Sequence, residues 1–326
     1  MKQERFEASH GNEWRRLEQL LEQLEQRRAR PDPDLMQQFP QLYRQVCHYL
    51  ALAQERRYSA YLIEHLNDLA LRGHHQLYRF RGNWRLGLIR FLVADFPQAV
   101  RQEAGFILLA AALLFGPALL MFGLTLLEPH LVFSLLDPVQ VTRMEEMYNP
   151  DQQHLGRERA SDTDFMMFGY YIYNNISVAF RCFAGGLVFM VGALTAILFN
   201  GLMLGAVAGH LTNQGFTDTF FPFVIAHGAF ELTAIAIAGG AGLKLGYSIL
   251  APGRLSRLDA LKQAAGGAVR IMYGVILMLV IAAFIEAFWS SSGNLAIAVK
   301  YGVGSLLWLL VIGYFLAAGR TARADA

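Results

Sequence analysis

His227 and Glu231 stand four residues apart in the stretch FVIAHGAFELTAIAIAGGAGLKLG, residues 223–246, where nearly every neighbour is Ala, Ile, Gly or Phe. On a helix that spacing puts both side chains on one face. An imidazole and a carboxylate so placed can share a proton, hold a polar ligand or supply two donors to a metal. The stretch lacks a His-Glu-x-x-His pattern, a third ligand nearby in sequence and a nucleophile elbow, so no metal, no cofactor and no catalytic residue is read from it. Other polar residues interrupt apolar runs in the same way: Asn174 and Asn175, Arg181, His210 and Glu286. A charge in hydrocarbon costs roughly 2.5–3.5 kcal/mol on insertion scales, so it is retained where it pairs, reaches water or serves a function.

The elements that carry these residues follow from composition. The chain has 326 residues, 54% hydrophobic and 17% charged, with a positive mean hydropathy, which excludes an ordinary soluble domain. Residues 1–103 hold 29 of the 54 Lys, Arg, Asp and Glu side chains. This divides the chain into a polar helical domain over 1–100 and a membrane domain over 101–320. Windows of about 20 apolar residues, enough to cross roughly 30 Å of hydrocarbon, predict spans at 104–127, 174–197, 222–248, 270–289 and 295–318. The apolar run over 173–211 is too long for one span. Asn200-Gly201, a turn dipeptide, splits it and leaves a short third helix over 201–212.

Arginines precede the first span (Arg79, Arg81, Arg85, Arg90, Arg101), populate the 251–270 connection (Arg254, Arg257, Arg270) and close the tail (Arg320, Arg323). The 128–172 loop carries eight acidic residues against three arginines. The positive-inside rule then predicts about six spans in the cytoplasmic (inner) membrane, with both termini cytoplasmic. Phe6 to Arg30 is a charged helical pattern rather than a signal peptide. Cys47 and Cys182 fall in different phases, so no disulfide is expected. On this topology Arg181 and Glu231 lie at similar depths and are expected to pair, with His227 one turn above. Asn174, Asn175, His210 and Glu286 gather in the same leaflet. The cluster then has three readings: a packing network, a ligand or translocation site facing the outer leaflet, or a catalytic centre.

Gly201, Gly205 and Gly209 form one helical row, and Gly242 with Gly246 another. Such rows let helix backbones approach closely, either within the chain or across a homo-oligomer. In the polar domain Trp14, Leu17, Leu21 and Leu24 repeat at helical spacing, and a long helix is predicted from Gln41 to Leu71. NWRLGLIRFLVADFP, residues 83–97, mixes arginines with large apolar residues as an interfacial helix does. With 16 Lys and Arg against 13 Asp and Glu over residues 1–103, no nucleic-acid partner is expected.

The segments YNNISVAFRCFAGGLVFMVGALTAILFNGLMLGAVAGHL and FVIAHGAFELTAIAIAGGAGLKLGYSILAPGRLSRLDAL resemble the signature region of the stage II sporulation protein M family. That region has an Asn-Asn start, a glycine-rich pair of spans, a His-Gly-x-x-Glu-Leu helix and a following Pro-Gly. RFEASHGNEWRRLEQLL is similar to the cytoplasmic extension of the longer, non-sporulation members. The resemblance implies an all-α polytopic bundle from an envelope complex of the kind that recruits cell-wall hydrolases, with membrane lipids and other envelope proteins as partners. Expected functions are a scaffold or ligand-binding component of envelope remodelling, a transporter or flippase-like protein, or an intramembrane hydrolase. Cysteines placed at Glu146 and Asp151 should react with an impermeant thiol reagent from outside the cell, whereas cysteines at Ser256 and Ala324 should not; external labelling at Ser256 contradicts the six-span topology.

Overall fold

The computed structural model describes residues 2–25, 33–79, 84–150, 164–292 and 295–320, and every element among them is helical. Arg30, Arg81, Asn83, Asp151, Arg323 and Ala324 lie outside the described residues. The chain forms two compact units, Met1–Ile89 and Arg90–Ala326.

The first unit is built from α1 (Gln3–Glu25), α2 (Pro33–Glu55) and α3 (Ala60–Arg79). Phe6, Trp14, Leu17 and Leu21 of α1 meet Leu42, Val46 and Tyr49 of α2 and Leu62, Leu66 and Leu69 of α3 in one core. The Tyr49 hydroxyl donates to Glu13 Oε2 at 2.6 Å. Burial, and then that carboxylate, push the phenol up to about 12, so it stays a donor at neutral pH. Arg72 of α3 clamps Glu25 of α1 at 2.9 Å. The single helix expected over 41–71 is two helices. Arg57 takes a left-handed conformation (φ 51°), which ends α2, and the Ser59 hydroxyl accepts from Leu62 N at 3.3 Å to start α3.

Helix α4 (Trp84–Arg90) carries the chain into the second unit, where a π turn over 91–95 leads to α5 (Phe96–Gln102), α6 (Ala104–Leu127) and α7 (Pro138–Tyr148). An Asp137–Gln140 capping box starts α7. Then come α8 (Asp164–Ala184), α9 (Val191–Asn213), α10 (Thr217–Leu250), α11 (Arg257–Phe284), a π turn over 285–290, and α12 (Ile297–Ala317). Five of these are long and apolar enough to cross a membrane: α6, α9, α10, α11 with its π extension, and α12. Helix α8 has 21 residues but is more polar, with Asn174, Asn175 and Arg181 along it.

The break in the long apolar run differs from the expectation. Asn200-Gly201 lies inside α9, where Asn200 Nδ2 donates to Ala196 O at 2.7 Å and Gly201 faces the Leu114 carbonyl. The chain instead turns at 185–190, through Phe189 and Met190 in left-handed conformations (φ 47° and 67°). Gly186 makes this turn by lying directly on the Gly242 backbone, where any Cβ would clash. The second long helix therefore ends at Ala184 rather than at 197. The third is a full 23 residues rather than a short segment.

Helix α10 is the axis of the unit: 61% of its apolar window is buried, against 22% for α6 and 17% for α12. Along α6 and α9, which run parallel, Gly201, Gly205 and Gly209 face the backbone of Leu114, Ala118 and Phe122 in turn. Gly242 meets the Cys182 and Phe183 carbonyls, and Gly246 meets Met190. Both glycine rows are thus used within the chain. At the end of the bundle opposite α7, Arg101 donates to the carbonyls of Phe315, Leu316 and Ala318 at 2.7–2.8 Å. It satisfies the last turn of α12, which has no intrahelical donors of its own. Lys244 pairs with Glu103 at 3.3 Å beside it.

Gly205→Ala should lower stability by about 1–3 kcal/mol, because the added methyl meets backbone rather than a movable side chain. Gly123→Ala, which meets nothing within 4 Å, should be neutral or stabilising. Thermal unfolding in detergent checks both.

Candidate functional site

The half of α10 that precedes Gly239 carries Phe220, Phe223, His227 and Glu231. Around it the neighbouring helices stand off and enclose a cavity of about 350 Å³. Tyr170, Tyr171, Asn174, Asn175 and Val178 come from α8, Asn200, Met203 and Leu204 from α9, Met144, Met147 and Tyr148 from α7, and Glu286 from the π turn after α11. His227 is buried, with Nδ1 at 3.1 Å from Ser290 Oγ. Its Nε2 faces Glu231 Oε2 at 4.0 Å, beyond hydrogen-bond length. Ligand atoms of His227, Glu231 and Glu286 all lie within 4.8 Å of one another. The π turn places Glu286 and Ser290 on the side of the helix facing α10, and such turns are frequent at functional sites.

Asn175 is 1% exposed. Its Oδ1 accepts from Asn174 Nδ2 at 3.2 Å, while its own Nδ2 is buried without a hydrogen-bond partner. Tyr148, the last residue of α7, closes the cavity from the loop side. Its ring stands edge-on to Phe220 and Phe223, and its carbonyl accepts from Thr219 Oγ1 at 2.6 Å. Burial, with Glu286, Tyr171 and Glu231 adding to it, pushes its phenol up, so Tyr148 presents a neutral hydroxyl.

A family model described as stage II sporulation protein M matches residues 104–291. The chain belongs to the stage II sporulation protein M family. Every polar residue of the cavity lies inside the matched segment, so the site is part of the module that defines this family. Residues 4–79 match a second family model, a domain of unknown function designated DUF8413, over the helices of the first unit. An uncharacterised protein of Methanocaldococcus jannaschii is 29% identical over 128 residues, 37% of this chain and 69% of that protein. No solved structure matches.

In this family member the polar residues singled out from the sequence divide into two groups. Asn174, Asn175, His227, Glu231 and Glu286 line one cavity. Arg181 and His210 do not. Arg181 is exposed and its Nε donates to the Ser177 carbonyl at 3.2 Å, so the expected Arg181–Glu231 pair is absent. The cause is the shifted helix boundary. With α8 ending at Ala184, Arg181 falls in its last turn, where a cation faces the negative end of the helix, rather than at the depth of Glu231. His210 lies in the last turn of α9 with Nε2 at 2.7 Å from Glu145 Oε1, and this contact ties α7 to the bundle. It does not line the cavity with the other residues expected in that leaflet. Tyr148, Asn200 and Ser290 are site residues that sequence reasoning did not reach. Tyr148 ends a polar helix of the acidic 128–172 loop, Ser290 follows an apolar segment as an ordinary boundary residue, and Asn200 carried the misleading turn signal.

Double-mutant cycles read by thermal unfolding should find Arg181→Met and Glu231→Gln additive to within about 0.5 kcal/mol, as for groups that do not touch. His210→Leu and Glu145→Gln should couple by about 1–3 kcal/mol, since removing either partner strands the other at a largely buried contact.

Proposed function

We propose that this chain is a six-span inner-membrane component of a cell-envelope remodelling assembly, and that it acts by binding a ligand in the cavity beside His227 and Glu231. The observation that carries this reading is the cavity itself. A scaffold whose buried polar groups served only to fix helix packing would pair them with one another. Here His227 and Glu231 stand 4.0 Å apart, and the Nδ2 of Asn175, a cavity-lining residue, is buried without a hydrogen-bond partner. In a membrane interior such groups are retained for function.

Binding from one side is favoured over transport. One to two turns beyond Ile235, the last cavity residue on α10, Gly239, Gly240 and Gly242 lie against Ile197, Ile107 and Cys182. Backbone-close packing there leaves no path onward to the arginine-rich end. Counting α8 as a sixth span keeps both termini on the side of Arg101, Arg254 and Arg257, in agreement with the charge bias of the loops. Lipids would contact the exposed apolar faces that include Leu108, Leu119 and Leu309. The three-helix first unit, on the cytoplasmic side, would dock other members of the assembly.

Val224→Trp places a large ring in the cavity without removing a polar group. Produced at wild-type abundance in a strain lacking the native protein, it should reproduce the septal and cell-shape defects of the deletion. Full complementation by Val224→Trp, or a deletion strain with an unaltered envelope, contradicts the reading.

A further inference from the structure

We propose that His227, Glu231 and Glu286 bind a single divalent first-row transition metal ion, Zn²⁺ or Mn²⁺, with its remaining coordination positions facing the cavity. This inference rests on the reading of the cavity as a ligand site and names one ligand for it.

Charge is the first argument. Two carboxyl groups converge inside a membrane helix bundle, and among the described residues lining the cavity there is no lysine or arginine. The nearby buried cation is Lys300, whose Nζ donates to the Ser290 carbonyl at 2.9 Å. Arg181, the cation that sequence offered, points elsewhere. A metal ion supplies positive charge at the point where the two carboxyl groups meet.

Donor geometry is the second. Donors about 2.0–2.2 Å from one ion stand roughly 3–3.5 Å apart in tetrahedral or octahedral arrangements. The three ligand atoms here lie within 4.8 Å of one another, so an ångström of movement in two flexible glutamate arms seats the ion. His227 and Glu231 face each other at 4.0 Å without a hydrogen bond, which leaves room between them. The ligands come from two elements, with α10 giving the His-x-x-x-Glu pair and the π turn after α11 giving the third.

The outer contacts are the third. In the tautomer that donates Nδ1–H to Ser290 Oγ, 3.1 Å away, the lone pair of His227 is on Nε2, the atom that faces Glu231. Metal-bound histidines are oriented by this kind of bond on the other ring nitrogen. Asn175 is an independent pointer to a bound group. It lines the cavity and is 1% exposed, and its Nδ2 is buried without a partner. An oxygen held by the metal, from water or from a bound ligand, is the acceptor it lacks. An imidazole with two carboxylates suits Zn²⁺ and Mn²⁺ better than the softer ions that thiolates select. Three protein ligands leave at least one position for that oxygen.

The test uses the full chain purified in detergent through an affinity tag without histidines. It is stripped with EDTA, incubated with Zn²⁺ or Mn²⁺, desalted, and its metal content measured by inductively coupled plasma mass spectrometry. Wild type should retain about one ion per chain, and His227→Ala and Glu286→Gln should lose at least about ten-fold in affinity, as metal-site residues do. His210→Ala, a buried histidine outside the site, should keep the ion. Because a ligand variant can misfold, the melting temperature of wild type alone is also read, and the metal should raise it reversibly with EDTA. Wild type that holds neither ion and shows no shift, or variants that retain as much metal as wild type, overturns the proposal. If Val224→Trp still abolishes function in that case, the cavity remains a ligand site without a metal.

Discussion

Close backbone contact at glycine is the constraint on which the membrane unit depends. Helix α10 is surrounded by α6, α8, α9, α11 and α12, and a helix with side chains all round keeps its neighbours 8–10 Å away. Between Gly239 and Gly246 that spacing collapses: Gly240 sits on Ile107, Gly242 on the Cys182 carbonyl, and Gly186 on Gly242 itself. One half of α10 is therefore sealed. In the other half Phe220, Phe223 and His227 hold the neighbours apart, Gly228 touches no neighbouring helix, and the cavity is what remains between them. The site is thus a consequence of changing residue size along a single helix.

The polar groups follow from the same division. Where backbones touch, carbonyls are satisfied within helices and no side chain needs a partner. Where the helices separate, Asn175, His227, Glu231 and Glu286 face a shared space. Arg101 and the Lys244–Glu103 pair occupy the far end, where one completes the end of α12 and the other joins α6 to α10. Charge is therefore paired and structural at the sealed end, and at the open end carboxyl groups gather with an imidazole around the cavity.

Much of this was legible in the sequence, for physical reasons. The apolar runs are long enough that α6, α10 and α12 could hardly be missed, and the glycine periodicity marked the close contacts. His227 and Glu231 announced themselves as polar residues in an apolar helix, and membership of the stage II sporulation protein M family followed from the same segment. The boundaries were less legible. Asn-Gly favours turns locally, but Gly201 is required for contact with α6, and tertiary packing overrode that preference. The true break at 185–190 is made by two left-handed non-glycine residues, Phe189 and Met190, which no propensity favours. That shift moved Arg181 to the end of its helix and removed it from the cluster. Glu286 joins the site through a π turn, a local change of helical register that residue spacing does not reveal.

The division of α10 into an open half and a sealed half is tested most directly by thiol accessibility along that helix. In a background lacking Cys47 and Cys182, cysteine at Val224 should react with a small membrane-impermeant thiol reagent added from outside, and cysteine at Leu243 should resist it from either side. Reaction at Leu243, or protection at Val224, would contradict the account.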